Sequence, residues 1–329
     1  MVDILFLNAN EIEKIIDMKR VIELVEVAFK EKGLKRVQMP PKTYLFFTKY
    51  DGDLRTMPAY LESLDIAAVK VVNSHPKNPQ RYGLPTVMAV IILVEPFSGK
   101  PLAIMDGTVI TRYRTGAAAA IATKHLWGAK EARVGLVGAG SVAAYSVEAL
   151  VHVVKVRSVA IYDIDYEKAA KLAQDIQGRY GIESRAVKSP YEAVKEAEVI
   201  VTATPSRSPI IKNEWIREGV HINAMGADAP GKEELDPLIL KRAKIVVDDY
   251  DQAIHSGEIN VPISSGLLKP DDIYAELGEI VAGLKKGRES DKEITVFTST
   301  GLAIQDAITA WYIYNEAIKK GIGTTLKLL

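Results

Sequence analysis

The stretch Arg133-Val134-Gly135-Leu136-Val137-Gly138-Ala139-Gly140-Ser141-Val142-Ala143 runs a short apolar segment into a glycine turn and then into a helical pattern. Gly138, Gly140 and Ala143 keep the G-x-G-x-x-A spacing of a dinucleotide-binding turn. Glycine permits the tight turn and lets the backbone approach a pyrophosphate, and the amides of the following helix, beginning at Ser141 and Val142, aim at its charge. The next apolar stretch, Ser158 to Tyr162, ends at Asp163, about 20 residues on, where an acid accepts from a ribose 2′-hydroxyl and repels a 2′-phosphate. Asp163-Ile164-Asp165 brings no arginine to offset that repulsion, so NAD is favoured over NADP. The bland alternative is the glycine turn of some other doubly wound domain, with Asp163 merely solvated.

Ligands of open α/β sheets collect beyond the carboxyl ends of the strands. Thr202-Ala203-Thr204-Pro205 follows one such strand, lacks charge and is expected to line the cofactor; Met225-Gly226-Ala227-Asp228 follows the next. Asp228 places a carboxylate there, either as an acid/base or as a cap for the loop or helix that follows. Lys70 interrupts the apolar run Ile66-Ala67-Ala68-Val69-Lys70-Val71-Val72. An ammonium there is costly unless paired, so Lys70 faces a polar cavity or bound anion, or guards an edge strand. Arg114 closes Thr111-Arg112-Tyr113-Arg114-Thr115, Arg55 sits in Leu54-Arg55-Thr56-Met57-Pro58, and Lys42 follows Pro40-Pro41. Spacing alone leaves these three as solvated charges. The histidines, at 75, 125, 152, 221 and 255, show no paired ligand spacing, so no metal is expected. Neither a G-x-S-x-G elbow nor a G-x-x-x-x-G-K-[ST] loop is present.

These groups need two kinds of scaffold. Residues before about 110 read as an α+β unit: helical spacing over 10–16 and 17–32, then strand-like runs Thr43 to Thr48, Ile66 to Asn73 and Thr86 to Val94. A small-residue helix runs from Thr111 to about Leu126. From Arg133 strands alternate with helices, near 133–138, 158–163, 183–187, 198–202, 220–224 and 244–248, which implies a parallel sheet with helices on both faces. A strand, Glu293 to Phe297, precedes a terminal amphipathic helix from about Leu302 to Lys320, with Ile304, Ala307, Ile308, Trp311 and Ile318 on one side. The fold class is therefore α/β: a Rossmann doubly wound sheet plus an α+β domain.

The chain has 329 residues, 42 basic and 42 acidic, so no excess positive charge draws it to nucleic acid or an anionic membrane. Cysteine is absent, which removes disulfides and thiolate chemistry. The start carries Asp3 and no basic-then-apolar leader, and the longest apolar run, Val87 to Val94, is far short of a span. The expectation is a soluble, cytoplasmic protein.

The succession Pro41-Lys42-Thr43, Met57-Pro58-Ala59-Tyr60, Lys70-Val71-Val72, Gly83-Leu84-Pro85-Thr86, Met105-Asp106-Gly107, Arg114-Thr115, Gly138-Ala139-Gly140, Gly226-Ala227-Asp228 and Phe297 to Asp306 resembles the ornithine cyclodeaminase/mu-crystallin family over almost the whole chain. The resemblance implies a homodimer with residues 1–115 and 302–329 as a substrate-binding and dimerisation domain, and 116–301 as an NAD-binding Rossmann domain. It implies that Lys42, Lys70 and Arg114 hold the substrate α-carboxylate and that Asp228 and Lys70 act in catalysis. Thr115, Gly138, Ala139, Gly140, Ser141, Val142, Asp163, Ile164, Thr202, Ala203, Thr204, Met225, Gly226, Ala227, Ser299 and Gly301 are expected at the cofactor.

Departures from the pattern select among family members. Cyclodeaminases carry an acid ahead of the Met57-Pro58 motif, against the substrate amine, where this chain has Arg55; Lys42 replaces their arginine, and Thr298 replaces a usual lysine. The Lys42 and Arg55 combination is similar to that of archaeal alanine dehydrogenases. Exchanging carboxylate for guanidinium removes a partner for an amine and adds one for a carboxylate. Four cations beside one acid suit a small anion such as pyruvate. The expected activity is NAD-dependent oxidation of L-alanine. Ornithine cyclodeamination, reduction of a cyclic imino acid, and a silent crystallin-like dinucleotide-binding protein are the alternatives, with a small amino acid or 2-oxo acid as the partner of the enzymatic readings.

Overall fold

The computed structural model describes residues 2–328. Contacts divide the chain into two units, Met1–Arg114 with Leu302–Leu329, and Thr115–Gly301. In the first unit one sheet runs in the order Thr324–Lys327, Asp3–Leu7, Pro101–Asp106, Val87–Val94, Ile66–Ser74, Gly52–Leu61, Val37–Gln38, with Thr43–Phe47 also paired to Gly52–Leu61. All neighbours are antiparallel except Asp3–Leu7 beside Pro101–Asp106. Strand period 2 puts Ile66, Ala68, Lys70 and Val72 on one buried face. Arg55, Met57, Ala59 and Leu61 are the buried alternates of the next strand. The helix Ala303–Lys320 packs on this sheet and against the helix Met18–Gly33, which Asp17 caps by accepting from the Arg20 amide.

Several elements differ from the sequence expectation. Ile66–Ser74 is an interior strand, so Lys70 guards no edge. Gly52–Leu61 escaped notice because Arg55 and Pro58 break its apolar pattern. Pro58 is tolerated because Thr43–Phe47 pairs only as far as Thr56 and Val37–Gln38 only from Tyr60, leaving a gap where no amide is needed. Trp311 and Ile318, placed with Ile304 on one apolar side, are 38% and 58% exposed; the later turns bury Ala310, Ile313 and Ala317 instead. The first turns are buried all round, including Gln305, Asp306 and Thr309, so the sequence periodicity tracked a face that the helix does not keep.

The second unit is built on a wholly parallel sheet, in the order Glu183–Ala186, Lys155–Tyr162, Glu131–Val137, Val199–Thr202, His221–Ala224, Ile294–Thr298, Ala243–Val247, Ile273–Glu276. Its central strands are buried at every position because both faces are covered, which His221, Asn223 and Thr295 meet with polar side chains. The strand at 294–298 inserts between two earlier ones, and Ile273–Glu276 closes the edge, neither of which alternation alone specifies. The order reverses between Glu131–Val137 and Val199–Thr202, the switch point where a crevice opens at the carboxyl ends.

Gly138 leaves the first strand at φ +102°, and a Cβ there would lie 2.6 Å from the Ala203 carbonyl oxygen. Gly138→Ala is therefore expected to lower unfolding free energy by about 1–3 kcal/mol, read from urea unfolding; an unchanged midpoint would remove the steric argument.

Candidate active site

In the first unit the charged groups converge. Lys70 Nζ donates to Asp306 Oδ2 at 2.5 Å and reaches Thr111 Oγ1 at 3.5 Å. Arg114 Nε donates to Asp306 Oδ1 at 3.0 Å, and Nη1 to Gln305 Oε1 at 3.1 Å. Lys70 is 1% exposed and Arg114 6%. Burial, then the Arg114 guanidinium, pulls the Lys70 ammonium down to about 7, with Asp306 opposing and Lys42 adding to the depression. Lys42, half-buried at the entrance of Thr43–Phe47, is thereby part of the same cluster.

Arg55 belongs to the buried face but its fork is occupied: Nε and Nη2 donate to Asp53 Oδ1 and Oδ2 at 3.0 and 2.9 Å, and its guanidinium lies 5.3 Å from the Tyr44 ring centroid. The charge balance expected from sequence is thus corrected. Asp53 and Asp306 stand among the four cations, and Arg55 meets an acid of its own strand. Residues 53 and 55 share a strand face by period 2, a signal the sequence carried. Asp306 lay within the quoted Phe297 to Asp306 motif but had no assigned role, because nothing local links it to Lys70.

In the second unit the glycine turn is tied down by the acid that follows the second strand. Asp163 Oδ2 accepts from the Ala139 amide at 2.7 Å and Oδ1 from the Asp165 amide at 2.9 Å, and the Gly138 amide donates to Tyr162 O at 2.8 Å. Gly140 caps the helix Ser141–Leu150, and a Cβ there would meet nothing within 4 Å. Gly140 and Ser141 are exposed, and Ile164 stands 95% exposed.

The loops after the fourth and fifth strands are held from behind. Thr202, expected to line the cofactor, is fully buried, and its hydroxyl donates to Glu234 Oε2 at 2.7 Å. The Thr204 amide donates to Glu234 Oε1 at 2.6 Å and the Gly226 amide to Oε2 at 3.0 Å. Met225 and Ala227 turn their side chains into the core, which leaves backbone as the surface these positions offer. Ser299–Gly301 is held alike: Asp248 Oδ2 accepts from the Thr300 and Gly301 amides, both at 2.7 Å, and from Ser299 Oγ at 3.2 Å. Asp228 is half-buried in the loop that follows, its Oδ1 accepting from Lys232 Nζ at 2.6 Å. Glu234 and Asp248 were missed because Lys232-Glu233-Glu234 and Asp248-Asp249 read as solvated charge. Thr115 is buried at the start of this unit. Among the described residues no group of three or more His, Asp or Glu side chains could hold a metal.

The pattern of the ornithine cyclodeaminase/mu-crystallin family matches residues 2–321. The chain belongs to the ornithine cyclodeaminase/mu-crystallin family. A curated alanine dehydrogenase of Archaeoglobus fulgidus is 49% identical to this family member over 98% of each chain. Among solved structures, an archaeal alanine dehydrogenase dimer with bound NAD matches with a TM-score of 0.95 and 49% identity over 100% of each chain. The Thermococcus litoralis Δ1-pyrroline-2-carboxylate reductase, in complex with NADH and L-proline, matches with a TM-score of 0.95 and 42% identity over 98% of this chain and 100% of its own.

Lys70 has a folded value of about 7 against roughly 10.4 in an unfolded chain. Between the two the unfolded state binds the extra proton, so stability should rise with pH across that window. Lys70→Met, which leaves Asp306 paired to Arg114, should abolish that rise. Urea midpoints for both proteins at the two ends of the window test it; parallel pH profiles would place the Lys70 proton elsewhere.

Proposed function

We propose that the chain is an NAD-dependent L-alanine dehydrogenase, converting alanine, NAD+ and water to pyruvate, ammonium, NADH and a proton, and running in reverse as reductive amination. The observation that carries the reading is the buried cluster in which Lys70 and Arg114 share Asp306. Asp306 and Gln305 fix the Arg114 plane, and Nη2 supplies two further donors for a carboxylate. Lys42 adds charge at the same place. Asp53 is already spent on Arg55, which leaves little for a second, distal amine and favours a small monoamino acid over ornithine. The similarity to the archaeal alanine dehydrogenases supports the same choice.

NAD, when bound, supplies the hydride acceptor. The glycine turn at 138–140, the amides of Ser141 and Val142, and Asp163 would hold its pyrophosphate and adenosine ribose, with Ile164 against the adenine and the backbone of Ala203, Thr204 and Gly226 toward the nicotinamide half. Asp163 disfavours a 2′-phosphate and so NADP. Positioning contributes most of the acceleration, because a clamped carboxylate makes hydride transfer effectively intramolecular. Loss of the Cα hydride would leave an iminium to which water adds, and Lys70, poised near neutrality, would take the carbinolamine hydroxyl proton as ammonia leaves. Asp228 relays protons among amine, water and bulk. Outward-facing apolar residues of the first unit's sheet, Val90 among them, and the dimeric state of the archaeal relative support a homodimer. The absence of any helix long and apolar enough to cross a membrane, among the described residues, agrees with a cytoplasmic enzyme.

A second reading is reduction of Δ1-pyrroline-2-carboxylate, favoured by the match to the T. litoralis reductase; its product also presents one carboxylate and one nitrogen. NADH absorbance with L-alanine, with L-proline and with L-ornithine separates the cases. NADH from alanine supports the proposal, NADH from proline alone selects the imine reductase, and proline formed from ornithine without NADH selects cyclodeamination. Asp228→Asn should lower turnover by about a hundredfold or more while leaving NADH affinity within about twofold; an unchanged rate would take Asp228 out of the mechanism.

A further inference from the structure

Glu234 lies outside every motif that marks the site, yet it is the point where three donors from two strand ends meet. Its Oε2 takes the Thr202 hydroxyl and the Gly226 amide, and its Oε1 the Thr204 amide. The residue is wholly buried. A Cβ at Gly226 would lie 2.6 Å from Glu234 Oε2 and 2.3 Å from the Thr204 carbonyl oxygen, so the two loops and the carboxylate form one close-packed knot. From that knot the chain runs out through Asp228 to Lys232 and returns to Glu234. Asn260 pins the outer part of this loop, accepting from the Gly231 amide at 2.9 Å and donating to the Lys232 carbonyl at 2.9 Å.

We infer that Glu234 is a positioning residue for the dinucleotide: its carboxylate fixes the backbone of Thr202–Thr204 and Gly226 from behind, so that their outward faces meet the nicotinamide half. The inference rests on the proposal that NAD binds this unit. Three donors require acceptors at both oxygens, which an ionised carboxylate provides and an amide does not. Glu258, also buried, takes the other part of the local chemistry. Its Oε1 accepts from the Glu234 and Leu235 amides at 2.7 and 2.6 Å, while Oε2 has no partner. Burial and then the adjacent Glu234 charge push the Glu258 carboxyl well above the usual range. Burial raises the Glu234 carboxyl too, with its hydrogen-bond donors opposing; three donors on Glu234 against two on Glu258 favour the shared charge on Glu234.

The asymmetry supplies the test. In Glu234→Gln one oxygen becomes an NH2 set against a backbone donor, so NADH should bind about tenfold more weakly or worse. Where pyruvate is turned over with ammonium, KM for NADH should rise while KM for pyruvate holds. Glu258→Gln imitates the protonated acid and should leave NADH affinity and thermal midpoint as in the wild type. NADH fluorescence titration of the full chain reads both variants. Equal affinity in Glu234→Gln and wild type, or an equal loss in both glutamine variants, overturns the assignment. Should Glu234→Gln not fold, Thr202→Val removes one donor at constant volume: weaker NADH binding supports the role and unchanged binding overturns it. A wild type that does not bind NADH would instead sink the NAD proposal.

Discussion

The first unit is organised around the cost of burying Lys70. Removing an ammonium from water costs several kcal/mol even after relaxation, and only close partners offset it. Asp306 supplies the counter-charge, and Arg114 shares that carboxylate from its other oxygen. Two cations on one acid leave the pairing with Asp306 short of negative charge. The same constraint accounts for the polar first turns of the Ala303–Lys320 helix, where Gln305, Asp306 and Thr309 are buried at positions an ordinary amphipathic helix would give to leucine or isoleucine. It also makes the terminal segment an integral part of the unit.

The second unit solves a different problem by one repeated device. Loop amides at several strand ends are held by a buried or half-buried carboxylate. Asp163 holds the glycine turn, Glu234 the loops at Thr204 and Gly226, and Asp248 the Ser299–Gly301 turn. Charge-assisted bonds of this kind are about twice as strong as neutral ones. They also bring acidic groups close to where a pyrophosphate would sit, and the acceptors are satisfied by backbone, so their negative charge is partly spent before any ligand arrives.

Much of this was legible in the sequence. Strand-helix alternation after Arg133 reads clearly because short, mostly apolar strands recur between helical stretches, and Lys70 stood out because a charge inside the apolar run of residues 66–72 is an anomaly. What escaped was pairing at a distance. Asp306 lies 236 residues from Lys70, and no local pattern links them. Glu234 and Asp248 sit in charged stretches whose burial depends on neighbouring strands. Arg55 was legible as a departure from a family pattern, yet its partner was two residues away. Trp311 and Ile318 show the converse failure, in which a regular spacing exists and the packing uses another face.

The separation between Lys70 and its counter-ion also orders events in time. The second unit is one continuous stretch, Thr115–Gly301, whereas the first needs Leu302–Leu329 to be whole. A ribosome releases Lys70 and Arg114 long before Asp306, and the strand Asp3–Leu7 long before Thr324–Lys327, which pairs along its edge. Throughout that interval the nascent first unit holds two cations without their acid and a strand with an open edge, while the continuous unit has everything it needs to fold as it emerges. Completion of the first unit thus waits on residues 302–328, and a chain that stops short of Asp306 is left with a charged gap in its core.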